Sequence, residues 1–201
     1  MAIYDAFICD NLFYIVLERA WGSLYDWIQV IESSEQLVRE IARQLLFAIH
    51  FIHTHDVIHR DITIYNILVF HGYQNAIFKI SDFGISEEFL DPWGPKISRS
   101  LTAHPYFIPP EILMPQYGYT NNQSDLYHLG LVLLYSLTKR LPFDESMSRE
   151  EIQQTVVNGV PRLQAEQIGT NLGEFIAKLL RRHMDYRFHT AIEAWRHLKQ
   201  F

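Results

Sequence analysis

The sequence has a single cysteine, Cys9, so no intrachain disulfide can form and nothing points to an oxidising compartment. No Lys/Arg run stands out, and a net charge of −6 leaves a nucleic-acid partner without electrostatic support. The longest apolar stretch, around Leu129 to Leu137, is too short to span a bilayer and is broken by Tyr135 and Ser136. The N-terminus lacks a basic segment followed by an apolar one, and Tyr4 and Asp5 interrupt it early. Repeats and low-complexity tracts are absent as well. The expectation is a cytoplasmic protein with neither a membrane nor a nucleic-acid partner. What remains is 201 residues that are 48% hydrophobic and 20% charged, enough for one domain with a substantial core or a large part of a bigger one.

Hydrophobic periodicity divides the chain. Phe13 to Leu17 is an aromatic and β-branched run and reads as a strand. Trp21-Gly22-Ser23-Leu24 reads as a turn into a short helix. Ser33 with Gln36 predicts a capping box, and Leu37, Ile41, Leu45, Ile49 and Ile52 follow on one helical face that ends near His55. Strands over Ile67 to Phe70 and Ala76 to Ile80 flank Gly72 and Asn75 and suggest a hairpin. From Ser86 to Pro110 periodicity is lost in a long loop, the kind that is usually functional. Beyond it, Leu126 to Leu137 is apolar nearly all round, as a helix buried on every side would be. Ser148 with Glu151 and Thr190 with Glu193 predict two more capping boxes, and a helix between them covers Leu172 to Arg182.

The chemistry concentrates in His59-Arg60-Asp61-Ile62-Thr63-Ile64-Tyr65-Asn66, which fits H-R-D-x-x-x-x-N. Four fixed positions of this kind match by chance in about one such chain in a thousand. Asp82-Phe83-Gly84 follows the second hairpin strand. Pro110-Glu111, Asp125 with Gly130, and Arg187 come next in order. An aspartate and an asparagine at this spacing offer hard oxygen ligands of the type Mg²⁺ takes. The hairpin brings Asn66 and Asp82 towards one site. Gly84 supplies backbone freedom for the exit after Phe83.

In these residues and in their order, the chain resembles the eukaryotic-type protein kinase family, of serine/threonine type, from Tyr4 to the end. The resemblance implies an α+β fold of the protein kinase type: a mainly helical C-terminal lobe with a small β-hairpin and a remnant of the N-terminal sheet. It implies one partial domain over 1–201, with 1–18 as remnant strands and hinge entry and 19–201 as the C-terminal lobe. It implies ATP and Mg²⁺ as cofactors and a protein substrate as partner. Asp61 would orient the substrate hydroxyl with His59, Arg60 and Thr63 around it, and Asn66 and Asp82 would hold Mg²⁺. Leu17, Glu18 and Ala20 correspond to the hinge that receives adenine, and Leu68 to the floor beneath it. Gly84, Glu111, Asp125 and Arg187 are supporting parts: Glu111 would pair with Arg187, and Asp125 would hold the loop backbone. Arg60 would meet a phosphorylated loop, and Ser98, Ser100 and Thr102 lie where such a phosphosite falls.

Other parts of the family pattern have no counterpart. The sequence contains no Gly-rich loop, no strand lysine for the phosphates and no helix glutamate to pair with it, so the resemblance begins at the fourth strand. This chain alone is therefore expected to be inactive. Thr63 stands where serine/threonine kinases place a lysine, and His104 where they carry a threonine. His104 would then supply the positive donor that Thr63 lacks. Two readings follow: a protein kinase acting on serine or threonine, or a single-lobe pseudokinase that docks another kinase. His50, His53, His55 and His59 crowd together at a spacing loosely like zinc ligands, but no Cys or fourth carboxylate completes a set.

Overall fold

A computed structural model describes residues 1–71, 75–83, 87–88, 105–144 and 146–201. Gly84, Ser98, Ser100, Thr102 and His104 lie outside the described residues, as does Gly72. The chain opens with an antiparallel pair, β1 (Ile3–Cys9) and β2 (Leu12–Leu17). Asp10 and Asn11 close it at φ 49° and 59°, the two positive angles that a two-residue turn matched to strand twist requires. Both faces of this pair are exposed, with Ile8, Phe13 and Ile15 among the side chains left in solvent.

β3 (Gly22–Ser23) leads directly into α1 (Leu24–Val30). Ser23 and Asp26 form the capping box at that helix start. α2 (Glu35–His53) buries Val38, Ile41, Leu45 and Ile49 along one face, at helical spacing. Its cap differs from the expected Ser33–Gln36 box: Ser34 accepts from Leu37 N–H, while the Ser33 hydroxyl donates to the Ser136 carbonyl at 2.6 Å. Two adjacent serines make the local signal degenerate, and the contact to a distant helix decides between them.

β4 (Val57–Ile58) pairs with β7 (Glu87–Glu88). β5 (Ile67–Phe70) and β6 (Ile77–Ile80) form the expected hairpin, in register Ile67 to Ile80, and β3 adds a third strand against β5. The second strand begins at Ile77, one residue after the expected Ala76. After α3 (Pro110–Leu113), the long helix α4 (Asn122–Thr138) has every residue from Ser124 to Ser136 buried. This bears out the all-round apolar pattern, and an Asn121–Ser124 capping box starts the helix. Gly130 lets it approach its neighbour, because a Cβ there would lie 2.8 Å from a Leu180 methyl.

α5 (Arg149–Val157), α6 (Val160–Glu166), α7 (Asn171–Leu179) and α8 (Ala191–Leu198) complete the helical layer. Ser148 and Glu151 form their box in full. Thr190 caps α8, but Glu193 reaches back to His189 N–H instead of Thr190 N–H. The core runs from α1 and α2 through the hairpin to α4 and α7, with Trp27, Ile41, Val69, Leu131 and Phe175 in one cluster. The fold is α+β and mainly helical. Among the described residues no helix is long and apolar enough to cross a membrane.

Candidate active site

The 59–66 loop is held from below by one side chain. Asp125, fully buried in the first turn of α4, accepts from His59 N–H at 2.9 Å and Arg60 N–H at 2.8 Å. His53 Nε2 meets the same carboxylate at 2.9 Å, and His128 Nδ1 lies 3.9 Å away. Burial alone would push the Asp125 carboxyl up, but the His128 and His53 imidazoles hold it below the usual carboxylate range. Arg60 has φ 70°, a left-handed conformation costly for a side chain with a Cβ, and the paired hydrogen bonds to Asp125 keep the loop there.

His59 is buried, with Nε2 3.0 Å from the Ser81 carbonyl, while Nδ1 lies 3.3 Å from Asp61 N–H. Donation to a carbonyl on one side and acceptance from an amide on the other select the neutral Nε2–H tautomer. Burial pushes the imidazole below its ordinary value, which agrees with that assignment. Asp61 Oδ2 accepts from Asn66 Nδ2 at 2.8 Å, and the same nitrogen reaches the Asp61 carbonyl at 3.0 Å. Asp61 Oδ1 is buried with no hydrogen-bond partner among the described residues. A carboxylate oxygen in that state has the capacity to accept a hydrogen bond from a further donor.

Thr63 is buried, and its hydroxyl accepts from Tyr65 N–H at 3.3 Å and Asn66 N–H at 3.2 Å. It closes the turn of the loop from inside. Asn66 and Asp82 stand at the open end of the hairpin, where the Ile67–Ile80 register stops. Ser81 N–H and Oγ–H both donate to the Asn66 carbonyl at 2.8 Å and hold the two strand ends together. The Asn66 amide nitrogen is engaged by Asp61, which leaves the amide oxygen for a cation, and Asp82 is exposed at φ 62°. An amide oxygen and a carboxylate at one strand end fit Mg²⁺, a cation that keeps several waters and takes few protein ligands. Among the described residues no group of three His, Cys, Asp or Glu side chains is arranged to hold a metal, and this includes the histidines of α2.

Leu17 and Ala20 lie on either side of Glu18 in the sequence, and Leu68 is half-buried in β5. Glu18 is tied to Lys79 Nζ at 2.5 Å, and this hydrogen bond holds its carboxyl below the usual range. Farther off, Glu111 and Arg187 form a fully buried bidentate pair at 3.0 and 2.7 Å. Burial would push the Glu111 carboxyl up, but the Arg187 guanidinium and the Ser124 hydroxyl hold it down.

The sequence model of the protein kinase domain matches residues 1–198. The chain belongs to the protein kinase family. It is 28% identical over 179 residues to the serine/threonine-protein kinase KIC1 of Saccharomyces cerevisiae, covering 88% of this chain and 16% of that protein. It is 33% identical over 146 residues to the human NUAK family SNF1-like kinase 2, covering 72% of this chain and 22% of that one. Among solved structures, one of the Rad53 kinase domain and SCD2 superposes with a TM-score of 0.75 at 25% identity, over 97% of this chain and 67% of that one. The chain thus spans about a quarter or less of the length of these curated relatives.

Some parts of this kinase site were not legible in the sequence. His53 lies 72 residues from Asp125 and Ser81 lies 15 from Asn66; neither spacing follows a helix or strand period. The Asn121–Ser124 box, by contrast, carries an ordinary local cap signal.

The two depressed buried carboxyls, Asp125 and Glu111, set an acid limit. A carboxyl held low in the folded chain adds stability above its unfolded pKa, which is about 4. That stability is lost as pH falls towards the folded value. Thermal melts at a series of pH values are expected to be flat for this contribution above about pH 5 and to fall steadily below about pH 4. A melting temperature that rises on acidification through this window would contradict the assignment.

Proposed function

We propose that the chain forms the catalytic lobe of a protein kinase that transfers the γ-phosphate of ATP to a serine or threonine hydroxyl of a protein. The observation that carries this reading is Asp61: Asn66 fixes one oxygen, and the other is buried without a hydrogen-bond partner among the described residues. Asp61 would accept the hydrogen bond of the substrate hydroxyl and take its proton as the oxygen bonds to the γ-phosphorus and ADP leaves. Mg²⁺, when bound, neutralises charge on the phosphates, and Asn66 and Asp82 are the residues that would hold it. Leu17, Glu18 and Ala20 would line the adenine site, with Leu68 as its floor. Residues 1–18 are read as part of an N-terminal lobe, and 19–201 as the C-terminal lobe.

His59, Asp125 and Thr63 act as positioning residues in this account. Thr63 supports the loop backbone instead of the substrate, because its hydroxyl already accepts two amide hydrogens. Arg60 is the cation that would meet a phosphate on Ser98, Ser100 or Thr102. Gly84 and His104 keep the roles the resemblance implies.

The test is phosphotransfer by the protein expressed from its complete gene. Labelled γ-phosphate is expected to appear on serine or threonine of a protein substrate, and a chelator of Mg²⁺ is expected to abolish it. A second reading, a binding module that docks another kinase, draws support from β1 and β2, which expose apolar side chains on both faces. No label transfer, together with capture of a purified kinase that is lost in Ile8→Asp, would favour that second reading.

A further inference from the structure

Lys79 has no part in the phosphotransfer described above, yet it joins two pieces of the chain on the nucleotide side. It stands in β6 with Leu68 directly opposite it in β5. Opposed residues of an antiparallel pair share one face of the sheet, so Leu68, Phe70, Ile77 and Lys79 lie on one side of the hairpin. The alternate residues Ile67, Val69, Phe78 and Ile80 belong to the core. The Lys79 ammonium lies 4.4 Å from the Phe70 ring centroid and donates to Glu18 Oε1 at 2.5 Å. The same oxygen accepts from Ala2 N–H at 2.8 Å, and Glu18 N–H donates to the Ala2 carbonyl at 3.0 Å. Glu18 thus extends the β1–β2 pairing with its backbone and reaches β6 with its side chain. Three residues on, Trp21 N–H donates to the Val69 carbonyl at 2.8 Å, and Gly22 and Ser23 continue along β5. Arg19 and Ala20 are therefore held between a side-chain tie to β6 and a backbone tie to β5.

We propose that Lys79 is a positioning residue for the nucleotide: by gripping Glu18 it fixes the hinge segment relative to the β5–β6 face that carries Leu68, and so sets the affinity for ATP. The inference rests on the reading of Leu17, Glu18, Ala20 and Leu68 as the adenine site, and adds what ties the wall of that site to its floor. Such a tie matters because β1–β2 and β3–β5–β6 are separate sheets, so no backbone ladder runs from one to the other. A hydrogen bond between an ammonium and a carboxylate is among the stronger polar contacts, and the Phe70 ring holds the flexible lysine stem in the same direction. The two side chains are only 29% and 16% exposed, so water screens them less than it would a pair standing free in solvent. A hinge released from this grip has to be ordered each time ATP binds, which costs affinity. The chemistry at Asp61 is untouched by that cost, so the effect falls on KM for ATP and leaves kcat alone.

The experiment uses the protein expressed from its complete gene. Binding of ATP with Mg²⁺ is measured by titration calorimetry, and initial rates are measured against ATP at a saturating concentration of a peptide that the protein phosphorylates. Lys79→Met is expected to raise Kd and KM for ATP about fivefold, with kcat and the peptide KM within about twofold of the natural protein. Glu18→Gln should weaken ATP in the same direction. Lys79→Arg keeps a cation that reaches both the carboxylate and the ring, and should restore ATP affinity to near the natural value. Unchanged ATP affinity in Lys79→Met, a fall in kcat with KM unmoved, or an equal loss in Lys79→Arg would overturn the proposal. If the natural protein binds ATP but transfers no phosphate, the kinase reading fails and the calorimetric Kd decides alone: weakening in Lys79→Met but not in Lys79→Arg upholds the role of Lys79, and no weakening overturns it. If the natural protein binds no ATP, the adenine site and the role of Lys79 are overturned together.

Discussion

Asp61→Asn is expected to lower phosphotransfer about 10²- to 10⁴-fold, the range that a positioned proton acceptor contributes. The substitution keeps an oxygen that can accept from Asn66 Nδ2, now 2.8 Å from Asp61 Oδ2, so the loop retains its internal tie. The negative charge at Oδ1, the buried oxygen with no partner among the described residues, is lost. An amide there cannot take the proton of the attacking hydroxyl. Initial rates with saturating ATP and Mg²⁺ test this, alongside melting curves that should coincide for the two proteins. A rate within threefold of the natural protein would remove Asp61 from the chemistry.

Glu111→Ala is expected to cost about 3–5 kcal/mol of stability, because it leaves a buried guanidinium without its carboxylate. For a domain of this size that corresponds to a fall in Tm of roughly 6–20 °C. Arg187 places its donors on Glu111 twice, on the Arg181, Arg182 and Gln123 carbonyls, and across the Tyr127 ring at 4.8 Å. The carbonyls satisfy hydrogen bonds but carry no net charge, so they do not replace the carboxylate. Replacing both partners, as in Glu111→Leu with Arg187→Met, should recover part of the loss, since neither charge is then stranded. Calorimetry of these two variants beside the natural protein checks the order. A single variant that melts within 2 °C of the natural protein would show that the pair contributes little.

The pair was legible as a pair only through family resemblance, since 76 residues separate its members. The same holds for Asp125 and the loop backbone, 65 and 66 residues apart. Thr63 shows the opposite case. Its place beside Asp61 suggested a part in the chemistry, but a hydroxyl two or three residues before free amide groups closes a local turn first. The Ser33 and Ser34 choice came out differently from the reading for a related reason: both serines satisfy the local cap pattern, and the Ser136 carbonyl claims one of them.

What the sequence determined by itself is whatever repeats over a few residues. Apolar spacing placed α2 and the all-buried α4, alternation with turn residues placed the β5–β6 hairpin, and the order of short motifs identified the family. These patterns act through neighbours at i+2, i+3 and i+4, where chain geometry alone sets the contact. Only the tertiary structure decided which distant side chains meet. It brought His53 onto Asp125, joined Ser81 to Asn66, and set the Tyr25 ring between those of Tyr65 and Tyr135. Those contacts depend on how whole helices and strands pack against one another, and no period along the chain records that.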